Sequence, residues 1–296
     1  MLRMRFKNQT CENCGKRYDG LRSSCPECGT ASPDRKLKGF DHYVHAPIYR
    51  QLLLFFGGWL GFQLLALIIQ LVMGVAWKAD HPGGTAEDLA NFFKTTDALF
   101  LHNGLSYLFL IGALALILWS TWKEIFKSFK FAWAPLIGLL GFAATTLCNI
   151  LYSVSVGNIL KAAGFNLSEN VNESTVRSIV AAYPWFSLIL FGFIGPFCEE
   201  VTYRVGLLGF FSRFNKPLGY IISSVVFGLI HFDFACFANG TNAIVIELYN
   251  LPQYLGAGAL MALTYDFGGF SASLTTHTVN NVYSVIMTII ATRSGS

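Results

Sequence analysis

Charge is scarce in this sequence. Asp, Glu, Lys and Arg supply 13% of its 296 residues, about half of the roughly 25% usual in soluble domains. So few charges do not cover the surface of a water-soluble globule of this size. Disorder is excluded as well, because a disordered chain combines high charge with little apolar content. Here 53% of the residues are apolar, and Phe alone occupies 27 positions. The sequence also lacks internal repeats, low-complexity tracts and an H-E-x-x-H metal motif. Residues 1–50 lack the apolar core of about 7–15 residues that a cleavable signal needs, so none is expected there.

The few charges are unevenly shared. Residues 1–50 hold 10 of the 21 Lys/Arg and 5 of the 17 Asp/Glu, net +5, whereas residues 51–296 hold 11 and 12, net −1. The basic excess belongs to a short front end and is too modest to predict a nucleic-acid partner. A transmembrane helix needs about 20 mostly apolar residues. Residues 51–77, 98–122, 131–160 and 178–198 carry no charge, and 217–237, 243–265 and 269–292 are apolar stretches interrupted by polar groups. The predicted fold is an all-α polytopic membrane protein with about seven transmembrane helices, preceded by a small cysteine-bearing module. With the N-terminus inside, 15 Lys/Arg fall on inner segments and 5 on outer ones, with Arg204 left within a span. Positive residues favour the inner side. A cytoplasmic N-terminus and an external C-terminus follow, and a bacterial plasma membrane is the expected location. The last three spans are where a re-entrant helix would alter this topology.

The front module carries Cys11-Glu-Asn-Cys14 and Cys25-Pro-Glu-Cys28, each pair followed by a glycine. Two C-x-x-C-G turns bring backbone amides towards thiolates, and four thiolates suit a tetrahedral zinc ion. Two disulfides would conflict with a cytoplasmic placement, and a single redox motif does not explain the duplication. Ten residues separate the pairs, room for one short hairpin. Such a small module depends on its metal to fold. It resembles the zinc ribbons found at the ends of many prokaryotic proteins, which implies a structural zinc and a cytoplasmic protein partner. Cys148, Cys198 and Cys236 lie in apolar stretches and read as small buried hydrophobes. The expected organisation is a ribbon at 1–30, a cytoplasmic linker at 31–50, accessory helices at 51–178, a core at 179–292 and a tail at 293–296.

Ionisable side chains inside a span are costly and point to function. Glu199, Glu200 and Arg204 form the densest such cluster. Glu200 and Arg204, four residues apart, can pair on one helix face, whereas Glu199 points about 100° away and lacks an in-helix cation. The next spans add Phe227 with His231 and His277 with Asn281, each pair four residues apart. If spans four and five meet at a turn near residues 213–217, Glu199 and His231 both lie about 21 Å from it. His277 is about 12 Å deep if the last helix begins near Gly269. His102, Asp233, Glu247 and Asp266 read as interfacial or structural pairs, and Pro196 and Pro252 as places where the backbone opens or kinks.

Glu199-Glu200-x-x-x-Arg204, Phe227-x-x-x-His231 and His277-x-x-x-Asn281 resemble the three motifs of the CAAX protease and bacteriocin-processing (Abi) family of intramembrane proteases, over about residues 180–292. The resemblance implies a helical bundle around a water-filled catalytic cavity, making 179–292 the protease core. Its substrate would be a membrane-associated peptide, either prenylated at a C-a-a-X end or related to bacteriocins. It also implies that Glu199 and His231 activate water, that His277 and Asn281 stabilise the oxyanion, and that Glu200, Arg204 and Phe227 support them. Burial raises a glutamate towards general-base range, and imidazole and amide N–H groups suit an oxyanion. Glu199, His231 and His277 could equally hold an active-site zinc, so metal-free and metal-dependent chemistry both stay open. Two rivals are a catalytically inactive immunity or partner-binding protein of the same ancestry and a proton-coupled transporter.

Overall fold

The computed structural model describes residues 9–18, 25–30, 42–44 and 46–294. The chain divides into two compact units, Met1–Asp41 and His42–Ser296. In the first, strands β1 (Gln9–Thr10) and β2 (Arg17–Tyr18) pair antiparallel, with Gln9 opposite Tyr18 and Thr10 opposite Arg17. This hairpin encloses the first cysteine pair. The hairpin expected between the pairs falls partly on residues 19–24, which lie outside the described residues, as do residues 31–41 of the linker with Arg35, Lys36 and Lys38.

The second unit is helical among its described residues. In chain order it contains α1 (Ile48–Asp80), α2 (Ala86–Phe92), α3 (Thr96–Leu118), α4 (Trp122–Ser128), α5 (Ala134–Ala162) and α6 (Val171–Ala182). There follow α7 (Pro184–Ser212), α8 (Lys216–Leu229), a 3-10 turn (Phe234–Ala238) and the broken helix α9 (Thr241–Ser294). Four helices, α1, α3, α5 and α7, are long and apolar enough to cross a membrane, and the protein is an integral membrane protein. The other three expected spans differ from this pattern. Helix α8 has 14 residues, about 21 Å of rise against the roughly 30 Å of a hydrocarbon core. Helix α9 is long, but its buried side includes Glu247, Thr264, Ser271, Ser273, Thr276 and His277. That polarity follows from facing protein rather than lipid.

Local chemistry accounts for the breaks. Thr85 and Asp88 form a reciprocal capping box that starts α2, and Asn170 caps α6 by accepting from the Glu173 amide at 2.9 Å. Gly269 has φ +74°, a left-handed conformation that glycine adopts without penalty, and it divides α9 near where a new helix was expected. Close helix approach uses small residues, as is usual in membranes. A Cβ at Gly206 of α7 would stand 2.8 Å from the Phe55 backbone nitrogen of α1, and one at Gly138 of α5 would stand 2.7 Å from the Ala272 carbonyl oxygen of α9.

Candidate active site

Helix α7 carries the glutamates and is irregular on both sides of them. Residues Leu190–Ile194 and Val201–Leu208 have a wider winding, in which Gly195 N–H bonds back five residues to Leu190 and Gly209 N–H to Arg204. Such i→i+5 insertions recur at functional sites. The first precedes Pro196, which lacks an N–H to donate.

The two glutamates differ in what satisfies them. Glu200 is fully buried, and both its oxygens are occupied. Arg204 Nε stands 3.2 Å from Oε2, the Ser273 hydroxyl donates to the same oxygen, and His277 Nδ1 lies 2.9 Å from Oε1. Arg204 is equally buried. It donates to Ser223 Oγ at 2.8 Å and lies over the Phe227 ring at 4.9 Å, a cation–π contact. The i,i+4 pair expected from sequence is thus the centre of a larger buried network. Glu199 is 18% exposed. Its Oε1 accepts from the Tyr107 hydroxyl at 3.2 Å. Its Oε2 is buried without a hydrogen-bond partner and faces His277 Nε2 across 3.7 Å, too far for a hydrogen bond but close enough for one small group beside the pair to touch both.

His231 does not lie within a helix, contrary to the expected span at 217–237. Helix α8 ends at Leu229, and His231 occupies the turn after it. The same turn keeps Asp233 off a helix shared with His231. Four contacts hold His231. Its Nδ1 lies 2.8 Å from the Phe227 carbonyl, its own carbonyl accepts from Asn170 at 3.2 Å, its ring packs on Phe227 at 5.0 Å, and Tyr254 stacks on it at 4.4 Å and 11°. Buried Glu247 accepts from the Asp233 and Val171 amides and pins the same turn to α6. Nδ1 bonded to a carbonyl is the protonated nitrogen, so Nε2 carries the lone pair. On α9, Asn281 donates to the Phe191 carbonyl at 3.0 Å, which leaves one amide hydrogen for another acceptor.

A cavity of about 190 Å³ brings together Glu199, Phe227, His231, His277 and Asn281, the residues singled out from sequence, beside Tyr107. The other polar groups expected to be structural have such partners. His102 bonds the Ala66 carbonyl, Asp233 caps the 3-10 turn, and Asp266 pairs with Lys216 at 2.6 Å. Cys198 and Cys236 are buried as expected, whereas Cys148 is exposed, on the outward face of α5. Sequence reasoning missed Tyr107, Tyr254 and Ser273. Ser273 precedes His277 by four residues, a spacing that could have revealed it; Tyr107 lies on distant α3, and Tyr254 lies in the first half of α9 with no local signal.

Residues 181–283 match the Rce1-like family, described as type II CAAX prenyl endopeptidase Rce1-like. The resemblance carried by the three motifs is borne out over that segment, and this is a family of peptidases. The Rce1-like segment holds Glu199, Glu200, Arg204, Phe227, His231, His277 and Asn281, whereas Tyr107 and the cysteines lie before it. An uncharacterised protein of Mycoplasma capricolum subsp. capricolum is 28% identical over 176 residues, 56% of this chain. The chain spans about half, 47%, of that relative's length. No solved structure matches.

The four cysteines form a separate centre. Among the described residues they are a group that could hold a metal ion, with ligand atoms all within 4.8 Å. Gly15 and Gly29 both adopt positive φ, +71° and +68°. Each N–H returns to the first cysteine carbonyl of its pair at 2.9 Å, so the two turns are built alike. The Thr30 hydroxyl, 3.0 Å from Cys28 Sγ, pulls that thiol down to about 6.

Proposed function

We propose that the protein is an intramembrane endopeptidase that hydrolyses a peptide bond of a membrane-associated peptide. The observation that carries this reading is the unpartnered Glu199 Oε2, facing His277 Nε2 across 3.7 Å in a cavity shared with His231. Glu199 Oε2 accepts a proton from a water in the adjoining cavity, and the water oxygen attacks the scissile carbonyl carbon. His231 Nε2, whose lone pair is free, orients the same water. Glu200 receives the Nδ1–H of the protonated His277 ring and so directs its Nε2–H at the carbonyl oxygen as it gains charge. The free Asn281 amide hydrogen supports the same oxygen. Glu199 then returns its proton to the leaving amine as the tetrahedral intermediate collapses. Arg204 pairs with Glu200 and fixes it, and Phe227 packs both histidine rings.

The substrate classes are those the resemblance implies, a prenylated C-a-a-X-type peptide or a bacteriocin-related one. An active-site zinc on Glu199, His231 and His277 would instead polarise the carbonyl, but among the described residues these three are not gathered as the four cysteines are. In the front module the proposed ion is a structural zinc. Its Sγ–Sγ edges of 3.5 Å (Cys11–Cys28) and 3.6 Å (Cys14–Cys25) approach the roughly 3.8 Å edge of a tetrahedron with Zn–S bonds of about 2.3 Å. They exceed by far the roughly 2.05 Å of a disulfide. The purified protein, reconstituted in lipid and offered a library of prenylated and unmodified peptides, should cut a subset, and no cleavage of any peptide would refute the reading. Metal analysis of the same sample separates the two chemistries: one zinc per chain belongs to the ribbon, and two place an ion at Glu199.

A further inference from the structure

Tyr107 lies on α3, 74 residues before the Rce1-like segment begins at residue 181 (181 − 107 = 74). Even so, its hydroxyl donates to Glu199 Oε1 at 3.2 Å. Its ring is fixed from two sides, 5.0 Å from Phe62 of α1 and edge-on at 6.5 Å to Phe191 of α7. Gly195 of α7 lies beside the phenol, where a Cβ would make an ordinary contact at 3.6 Å. Tyr107 and Glu199 line the cavity described above and also a second one of about 140 Å³, bounded by Trp59, Phe62, Leu110 and His231. The carboxylate therefore has two spaces into which it could turn. The phenol ties one oxygen and leaves the other facing His277.

We propose that Tyr107 is a positioning residue of the active site, a phenol supplied by the accessory helices that selects which Glu199 oxygen acts as base. The assignment rests on the endopeptidase reading. It makes the site incomplete without α3, so the Rce1-like segment alone does not carry the whole machinery. A donor that holds a reacting group within a fraction of an ångström affects turnover far more than binding, and misplacement by about 1 Å can cost about 100-fold in rate.

The test compares full-length wild type, Tyr107→Phe and Glu199→Gln, reconstituted in lipid, on the best-cut peptide. Tyr107→Phe keeps both ring contacts and removes only the hydroxyl. Its kcat should fall about 10- to 100-fold with KM within about twofold and an unchanged melting temperature. The infrared carboxylate band that disappears in Glu199→Gln should shift in Tyr107→Phe. An unchanged kcat and band would overturn the assignment, as would a kcat loss matched by a lower melting temperature. If Glu199→Gln also cleaves at the wild-type rate, the assignment of Glu199 as base fails, and if wild type cleaves no peptide the endopeptidase reading fails, both separate outcomes.

Discussion

Helices α5 and α7 are both 29 residues long and apolar enough to span a membrane, yet 22% of the α5 window is buried against 56% of that of α7. The α5 face turned outward carries Leu140, Leu147, Leu151 and Val154, suited to lipid. Helix α7 is enclosed by α1, α3, α8 and α9, and residues 200–209 are buried without exception. Apolar length makes a span. Only enclosure by protein lets a span hold Glu199, Glu200 and Arg204, because each polar atom then finds a partner or a purpose.

The contrast can be broken by substitution. The largest expected effect comes from Arg204→Ala, which strands Glu200 in a buried site and should cost roughly 3–5 kcal/mol, read as a lowered unfolding midpoint in detergent. Next is Gly206→Ala, whose methyl would press on the Phe55 backbone. Overpacking of that kind costs about 1–3 kcal/mol. Leu116→Ala on α3, where the side chain is 76% exposed, should change the same midpoint by no more than about 0.5 kcal/mol. Equal losses for Gly206→Ala and Leu116→Ala would erase the distinction between enclosed and lipid-facing helices. The smallest effect lies outside the spans. The Thr85 backbone and hydroxyl groups hold the Asp88 carboxyl below its ordinary range. The α2 cap is therefore present above the unfolded aspartate value and lost only as pH falls through the lower folded one. Amide exchange over Ala86–Phe92 should quicken only in that acid window.

The same contrast explains what could be read from sequence. Spans at 51–77, 98–122 and 131–160 became α1, α3 and α5 because hydropathy reports the lipid-facing helices directly. The three motifs were legible because each is local: Glu200 with Arg204, Phe227 with His231, and His277 with Asn281 sit one turn apart. The end of α8 was not legible. Residues 230–237 are as apolar as the helix before them, and only the backbone reveals that His231 sits on a turn held by Asn170 and Glu247. The widened winding around Glu199 was hidden for the same reason. Tyr107 was hidden by distance, since a contact across 92 residues leaves no trace in spacing.

The central claim is that Glu199, with its free oxygen, is the base that makes this enclosed helix an endopeptidase. The direct measurement is single-turnover cleavage of a membrane-associated peptide by the reconstituted protein, wild type against Glu199→Gln. The amide keeps size and polarity but cannot take a proton. The account predicts cleavage by wild type and none above background by Glu199→Gln, with both binding the peptide alike. Cleavage by Glu199→Gln at the wild-type rate would contradict it.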